Sequence, residues 1–213
     1  MGHSLRVTLL RHGHTTSGPV YRGRVDSPLS DKGWQQMQEA VASISPDLII
    51  TSPLQRCAKF ADYLEAQMNV EPGALVVRDE RLLEMDFGDW DGRDREEVWQ
   101  QDADSVKAFW ADPMHVSPPN GENLSQVQDR AAVALHDYIA TAIQARHKHL
   151  LLISHGGVIR CLLGKVLHMS GKGLFHLHVP YAGLAHLQVA HYKVAKTTVD
   201  EYHISLDLGA ATA

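Results

Sequence analysis

Short apolar runs alternate with amphipathic stretches through much of the chain. Leu5–Leu10, Asp47–Ile50, Leu75–Val77 and Leu150–Ile153 are rich in Leu, Ile and Val and are bounded by charge, Gly or Pro. That is the pattern of strands buried on both faces in a parallel sheet. Between them, Trp34, Met37, Val41 and Ile44 recur at helical spacing after Ser30, a residue type suited to an N-cap. Ser52-Pro53-Leu54-Gln55 predicts a second helix, with Ser as N-cap, Pro at the first position and Gln closing a capping box. Val158, Ile159, Leu162, Leu163 and Val166 predict a third, directly after Gly156-Gly157. Leu184–Ala190 and Val199–Ile204 read as two further strands.

Residues 93–146 break this alternation, because no β-rich run interrupts them. Val98, Trp99, Val106, Phe109 and Trp110 predict short helices, and Leu124, Val127, Ala131, Leu135 and Tyr138 a longer one, with a Pro-rich loop between. We expect one domain over residues 1–213, of α/β class with a mostly parallel central sheet. Residues 93–146 form a helical insertion that serves as a lid. Trp34, Trp99 and Trp110 are expected to pack in the core or lid, and Trp90 to border a pocket.

Composition narrows the partners. The 213 residues carry 20 Lys and Arg against 25 Asp and Glu, a net charge of −5, so no global basic field invites nucleic acid. No apolar run approaches a membrane span or a secretory signal, and the two cysteines, Cys57 and Cys161, lack metal or redox spacing. A cytoplasmic protein is the expectation, with no membrane partner and an oligomeric state that is unknown. Fourteen histidines raise the question of a metal hydrolase. There is no H-E-x-x-H, and His176-x-His178 stands beside Leu and Val only, so we expect no metal and no cofactor. His147 and His149 are expected in a basic helix end, where charge favours the helix dipole.

Two predicted strands run into histidine: Val7-Thr8-Leu9-Leu10 into Arg11-His12-Gly13, and Leu151-Leu152-Ile153-Ser154 into His155-Gly156-Gly157. Ligands of open α/β sheets bind beyond the carboxyl ends of strands, so both imidazoles are expected at one crevice. Gly13, Gly156 and Gly157 permit close backbone approach, and amides at the helix start after His155 suit an anion. A third strand feeds the helix carrying Arg56, which lets Arg11 and Arg56 converge on a phosphoryl group. A neutral histidine among arginines is suited to accept that group covalently. Glu84, before a Gly turn, is the candidate to protonate the departing alkoxide and later to deprotonate water.

These residues match a family. Leu10-Arg11-His12-Gly13-x-Thr15, Ser52-Pro53-Leu54-x-Arg56, Glu84-x-x-Phe87-Gly88-x-Trp90-x-Gly92 and Ser154-His155-Gly156-Gly157 resemble, in order, four motifs of the histidine phosphatase superfamily. The resemblance implies a phosphoglycerate mutase-like three-layer sandwich, the sheet flanked by helices. It also implies His12 as phosphorylated nucleophile, Arg11, Arg56, His155 and Gly156 around the phosphate, Glu84 as proton donor, and a small phosphorylated substrate. Met85-Asp86-Phe87 stands where cofactor-dependent mutases carry Arg-His-Tyr, which favours hydrolysis. Tyr21-Arg22-Gly23, the run through Trp90, and Pro118-Pro119-Asn120-Gly121-Glu122 resemble the branch that hydrolyses α-ribazole-5′-phosphate. A broad phosphatase, a mutase or a non-catalytic phosphate-binding module are the alternatives. His14 and Gly18 replace the Glu and Asn of many members, leaving the usual Asn contact to Arg22 or Arg24. His14, Tyr21, Arg22, Gly23 and Trp90 are thus candidate substrate contacts.

Overall fold

The computed structural model describes residues 4–68, 75–169, 171–193 and 200–208. Six strands form one sheet in the order β3-β2-β4-β1-β5-β6. Here β1 is Ser4–Arg11, β2 Leu48–Thr51, β3 Val76–Arg78, β4 His149–Ser154, β5 Leu184–Lys193 and β6 Asp200–Asp207. The first four run parallel, and β5 and β6 add an antiparallel pair beside β1. Val199, where the last predicted strand was to begin, lies outside the described residues.

Period-two alternation sorts the strand side chains into two cores. Leu5, Val7, Leu9, Leu48, Ile50, Leu150 and Leu152 pack against α5 (Leu124–Gln144) and α6 (Gly156–Val166). Leu10, Ile49, Leu151 and Ile153 pack on the other face against α1 (Asp31–Val41) and α2 (Gln55–Gln67). The sheet is therefore the middle of three layers, as the resemblance implied. Thr8 is the polar exception within β1, and its buried hydroxyl is satisfied by His149 at 2.8 Å and His186 at 3.0 Å. His149 thus begins a strand and binds a core hydroxyl, contrary to the expected helix-end position.

Helix starts follow local chemistry only in part. Ser30 caps α1 by accepting from the Gly33 amide at 3.1 Å, as predicted. The predicted box at Ser52 does not form, because α2 begins at Gln55 and the Ser52 hydroxyl is engaged by His155. Asp26, from the loop after β1, accepts from the Gln55 amide at 2.7 Å instead. The stretch after Arg93 holds α3 (Arg95–Gln101), α4 (Ala103–Ala111) and α5. Of these, α5 belongs to the helix layer on the sheet, whereas α4 carries Phe109 and Trp110 to a cavity. Among the described residues no helix is long and apolar enough to cross a membrane.

Candidate active site

Strand register brings the two histidines together. Arg11 of β1 pairs with Ser154 of β4, so the residues that follow, His12 and His155, leave the sheet side by side. The His12 amide donates to the Ser154 carbonyl at 2.9 Å, and the two rings meet edge-on with centroids 5.2 Å apart. The pairing is a consequence of parallel strands ending level.

The protons on both rings follow from their partners. His12 Nδ1–H donates to the Gly13 carbonyl at 2.8 Å, which leaves the Nε2 lone pair open. Burial, and after it the charge of Arg56, hold His12 well below the ordinary imidazole value, so the ring is neutral and nucleophilic. His155 is pushed down by the same two causes in the same order. Its Nδ1 accepts from Arg56 Nε at 3.2 Å, and its Nε2–H then donates to Ser52 Oγ at 2.8 Å.

Arg56 is fully buried and is positioned from both ends. Besides His155 it donates to the carbonyls of Val25 at 2.9 Å and Gly23 at 2.7 Å. Those carbonyls face it because the Asp91 carboxylate gathers the amides of Gly23, Arg24 and Val25 at 2.7–2.9 Å, orienting the peptide planes. Gly23 therefore serves the site through its backbone, behind the cavity wall, and makes no wall contact of its own. Arg56 and His155 likewise are fully buried and stand behind the cavity wall, and each Arg56 terminal nitrogen keeps one N–H beyond those donated to Val25 and Gly23.

Glu84 is held on the opposite flank. Its Oε1 accepts from the Met85 amide at 3.0 Å and its Oε2 from the Gly157 amide at 3.2 Å. Arg130 of α5 ties down the chain that delivers it, donating to the carbonyls of Arg81, Leu83 and Glu84 while pairing with Glu122 at 2.9 Å. A Cβ at Gly157 would stand 2.5 Å from Glu84 Oε1, so any side chain there must push the carboxylate aside.

A cavity of about 220 Å³ opens in front of these groups, lined by Arg11, His12, Glu84, Gly156 and Gly157 at its base. Tyr21 and Arg22 also line it. His14 turns away, its Nδ1 meeting Ser30 Oγ at 2.9 Å. Trp90 is buried one layer beneath, tilted against Tyr21 and edge-on to Phe109 and donating to Asp102 at 3.1 Å, so it supports the wall without forming it. Gly18, where an Asn was missing, supplies its carbonyl to Arg22 at 2.9 Å, and Ser17 does the same at 2.8 Å. Arg22 faces the cavity with its Nε buried and unpartnered, whereas Arg24 pairs with Glu122 at 3.3 Å and stays off the wall.

Several wall residues escaped the sequence reading. Tyr181 stacks its ring under the Arg11 guanidinium at 4.1 Å, and Arg95, Arg160 and Phe175 also line the cavity. Arg160 had a visible signal, a cation amid the apolar run from Val158 to Leu163. The arginines also divide by partner. Arg24, Arg78, Arg81, Arg93 and Arg130 each have a carboxylate within 4 Å. Among the described residues none is recorded for Arg11, Arg22, Arg56, Arg95 or Arg160. Cations gathered at one wall with no carboxylate within ion-pair distance favour an anion there, and of these five Arg56 is buried, Arg11, Arg22 and Arg160 are half-buried and Arg95 is exposed. Among the described residues no three His, Cys, Asp or Glu side chains converge as a metal site.

A neutral histidine with an open ring nitrogen, set among unpaired arginines and a carboxylate at parallel strand ends, is suited to phosphoryl transfer. The chain belongs to the histidine phosphatase superfamily (branch 1), which its residues 7–201 match and whose members are phosphatases and mutases. It is 29% identical over 181 residues to an adenosylcobalamin/alpha-ribazole phosphatase of Escherichia coli (strain K12), covering 82% of this chain and 85% of that one. It is 30% identical over 170 residues to a 2,3-bisphosphoglycerate-dependent phosphoglycerate mutase of Bartonella quintana, covering 76% and 81%. The alpha-ribazole phosphatase structure from Shigella flexneri aligns with a TM-score of 0.71 at 25% identity, over 95% of each chain.

Proposed function

We propose that this protein is a phosphomonoesterase working through a phosphohistidine, with α-ribazole-5′-phosphate as substrate. The observation that carries the reaction type is the His12 ring, neutral, with Nδ1 tied to Gly13 and Nε2 free beside uncompensated arginines. Nε2 attacks phosphorus in line, the P–O ester bond breaks, and Glu84 gives its proton to the leaving oxygen. Glu84, now a carboxylate, takes a proton from water. That oxygen displaces the Nε2–P bond, releasing phosphate and restoring neutral His12. Arg11, Arg22, the free N–H groups of Arg56 and the Gly156 amide receive the equatorial oxygens. His155 acts by holding Arg56.

The finer substrate reading is supported by the wall beyond Glu84, where Tyr21, Phe87, Phe109, Trp110 and Phe175 offer rings to a flat base. It also draws on the phosphatases named above. Quenching a reaction with labelled substrate in alkali is expected to trap an acid-labile phosphoenzyme that His12→Asn does not form. Turnover without such a species would overturn the mechanism. For the substrate, kcat/KM for α-ribazole-5′-phosphate is expected to exceed that for sugar phosphates and nucleotides by about tenfold or more, a difference of about 1.4 kcal/mol in transition-state binding. A flat profile would favour the broad phosphatase.

A further inference from the structure

Tyr181 takes no part in the reaction proposed for this site, yet it lines the same cavity and meets its central groups. Its ring lies under the Arg11 guanidinium at 4.1 Å and beside the His12 ring, with centroids 5.8 Å apart. Its hydroxyl accepts from Arg22 Nη1 at 3.4 Å. His14, held by Ser30, packs edge-on against the same ring at 5.7 Å.

The turn that carries Tyr181 is fastened to the nucleophile. The Gly183 amide donates to the Pro180 carbonyl at 3.0 Å, closing a turn with Tyr181 and Ala182 at its centre. Ala182 stands at φ 52°, in the left-handed region that a residue with a Cβ enters at a cost. The turn is held in that shape from β1: the Ala182 amide donates to the His12 carbonyl at 3.2 Å, and Arg11 donates from its amide to Gly183 at 3.1 Å and from Nη1 to Val179 at 2.7 Å. Tyr181 is therefore fixed relative to His12 and not merely near it.

The hydroxyl has a direction as well. A phenol accepts on its oxygen and has one proton to give. Arg22 occupies the oxygen, and among the described residues no acceptor is recorded for the proton, which leaves it for a group entering the cavity. In the reaction proposed for this site, Arg11 and Arg22 share the phosphoryl group, and they are the two cations that Tyr181 joins. We propose that Tyr181 is a further catalytic residue: its hydroxyl donates to an oxygen of the phosphoryl group in transfer, while its ring keeps the Arg11 guanidinium in place. This inference rests on the phosphomonoesterase reading.

Tyr181→Phe keeps the ring and removes the donor. We expect kcat/KM to fall by about 10- to 100-fold, the worth of one hydrogen bond to a charged group. The factor should be the same for nitrophenyl phosphate and for an alkyl phosphate, because the contact is to the group that both share. The Ki of vanadate, whose five-coordinate form resembles phosphorus in transfer, should rise by a similar factor. A Ki is a property of the folded molecules, so it reads the contact even if the variant folds poorly. Rates and Ki within about twofold of native would overturn the proposal and leave the ring as packing. A loss confined to the alkyl ester would also overturn it, since that places the hydroxyl on the leaving oxygen. If the native protein hydrolyses no phosphomonoester, the phosphomonoesterase reading fails, and the Kd of inorganic phosphate decides on Tyr181 by itself. A Kd about tenfold weaker in Tyr181→Phe supports the contact, and an unchanged one overturns it.

Discussion

Arg56 Nε donates to Nδ1 of His155 across 3.2 Å of buried space, joining α2 to the end of β4. Burial first and the Arg56 charge second keep His155 neutral, the bond sends the proton on its other nitrogen to Ser52, and the rest of the guanidinium meets the Gly23 and Val25 carbonyls. One side chain thereby links three segments of the site.

Arg56→Lys is expected to be damaging although it keeps the charge. An ammonium on a flexible stem cannot reach His155, Gly23 and Val25 at once. Leaving buried acceptors unpaired costs about 1–3 kcal/mol each, so a loss of about 2–4 kcal/mol in urea unfolding is expected. Activity should fall by about 100-fold or more, since a preorganised donor contributes that much. Wild-type stability in this variant would remove Arg56 from its organising role.

Gly157→Ala is expected to act through Glu84. The new Cβ at 2.5 Å from Oε1 must displace the carboxylate. The rate with alkyl phosphates, whose leaving groups need a proton, should drop by about 100-fold, and the rate with nitrophenyl phosphate far less. Glu84→Gln should show the same split. If both substrate types slow equally in both variants, Glu84 is not the general acid.

Stability is expected to decline as pH falls below about 6.5. Burial, then Arg56, depress His12 and His155, so below that pH the unfolded chain takes up protons that the folded chain refuses. The contribution is complete above the unfolded value and is lost on acidification, at up to about 1.4 kcal/mol per pH unit for each group. At Asp79 and Glu122 burial pushes the carboxyl up, but hydrogen bonds led by Arg81 and Arg130 push it down further. Their effect has the same sign and sets in below about pH 5. Urea melts between pH 5 and 7.5 should therefore report the histidines, and His12→Asn should flatten the slope; an unchanged slope would contradict a buried neutral His12.

Trp110 and Phe175 meet edge-to-face at 5.1 Å at the cavity mouth, with 48% and 39% of their surfaces exposed. Trp110→Ala is expected to reduce kcat/KM for an α-ribazole phosphate by about tenfold, in keeping with the 0.5–1.5 kcal/mol of an aromatic pair plus lost area. For ribose 5-phosphate the reduction should be slight. Equal losses on both would mean that the ring shapes the cavity and does not bind the base.

Local patterns carried far in this chain. Short apolar runs between breakers specify buried parallel strands, and the residues just past β1 and β4, His12 and His155, stand where such strands open onto a crevice. The place of Glu84 beside the cavity was legible from its motif, and the Ser30 cap from capping chemistry alone. The contacts that escaped join distant segments. Asp26 caps α2 from 29 positions away, and Arg56 meets His155 across 99 positions. Tyr181 reaches Arg11 from the turn before β5, a proximity that only the pairing of β1 with β5 creates.

The sequence by itself determined the elements, the sheet class and the identity of the chemical groups, because these depend on side-chain period, turn residues and intrinsic reactivity. Tertiary structure alone decided which of those groups face the cavity. His14 and Trp90 carry suitable chemistry, yet one turns to Ser30 and the other is buried under Tyr21. It decided the proton positions on His12 and His155, which follow from the acceptor or donor that each ring meets. It also decided which arginines keep an unspent charge, since a guanidinium in the chain becomes an anion receptor only when folding denies it a carboxylate.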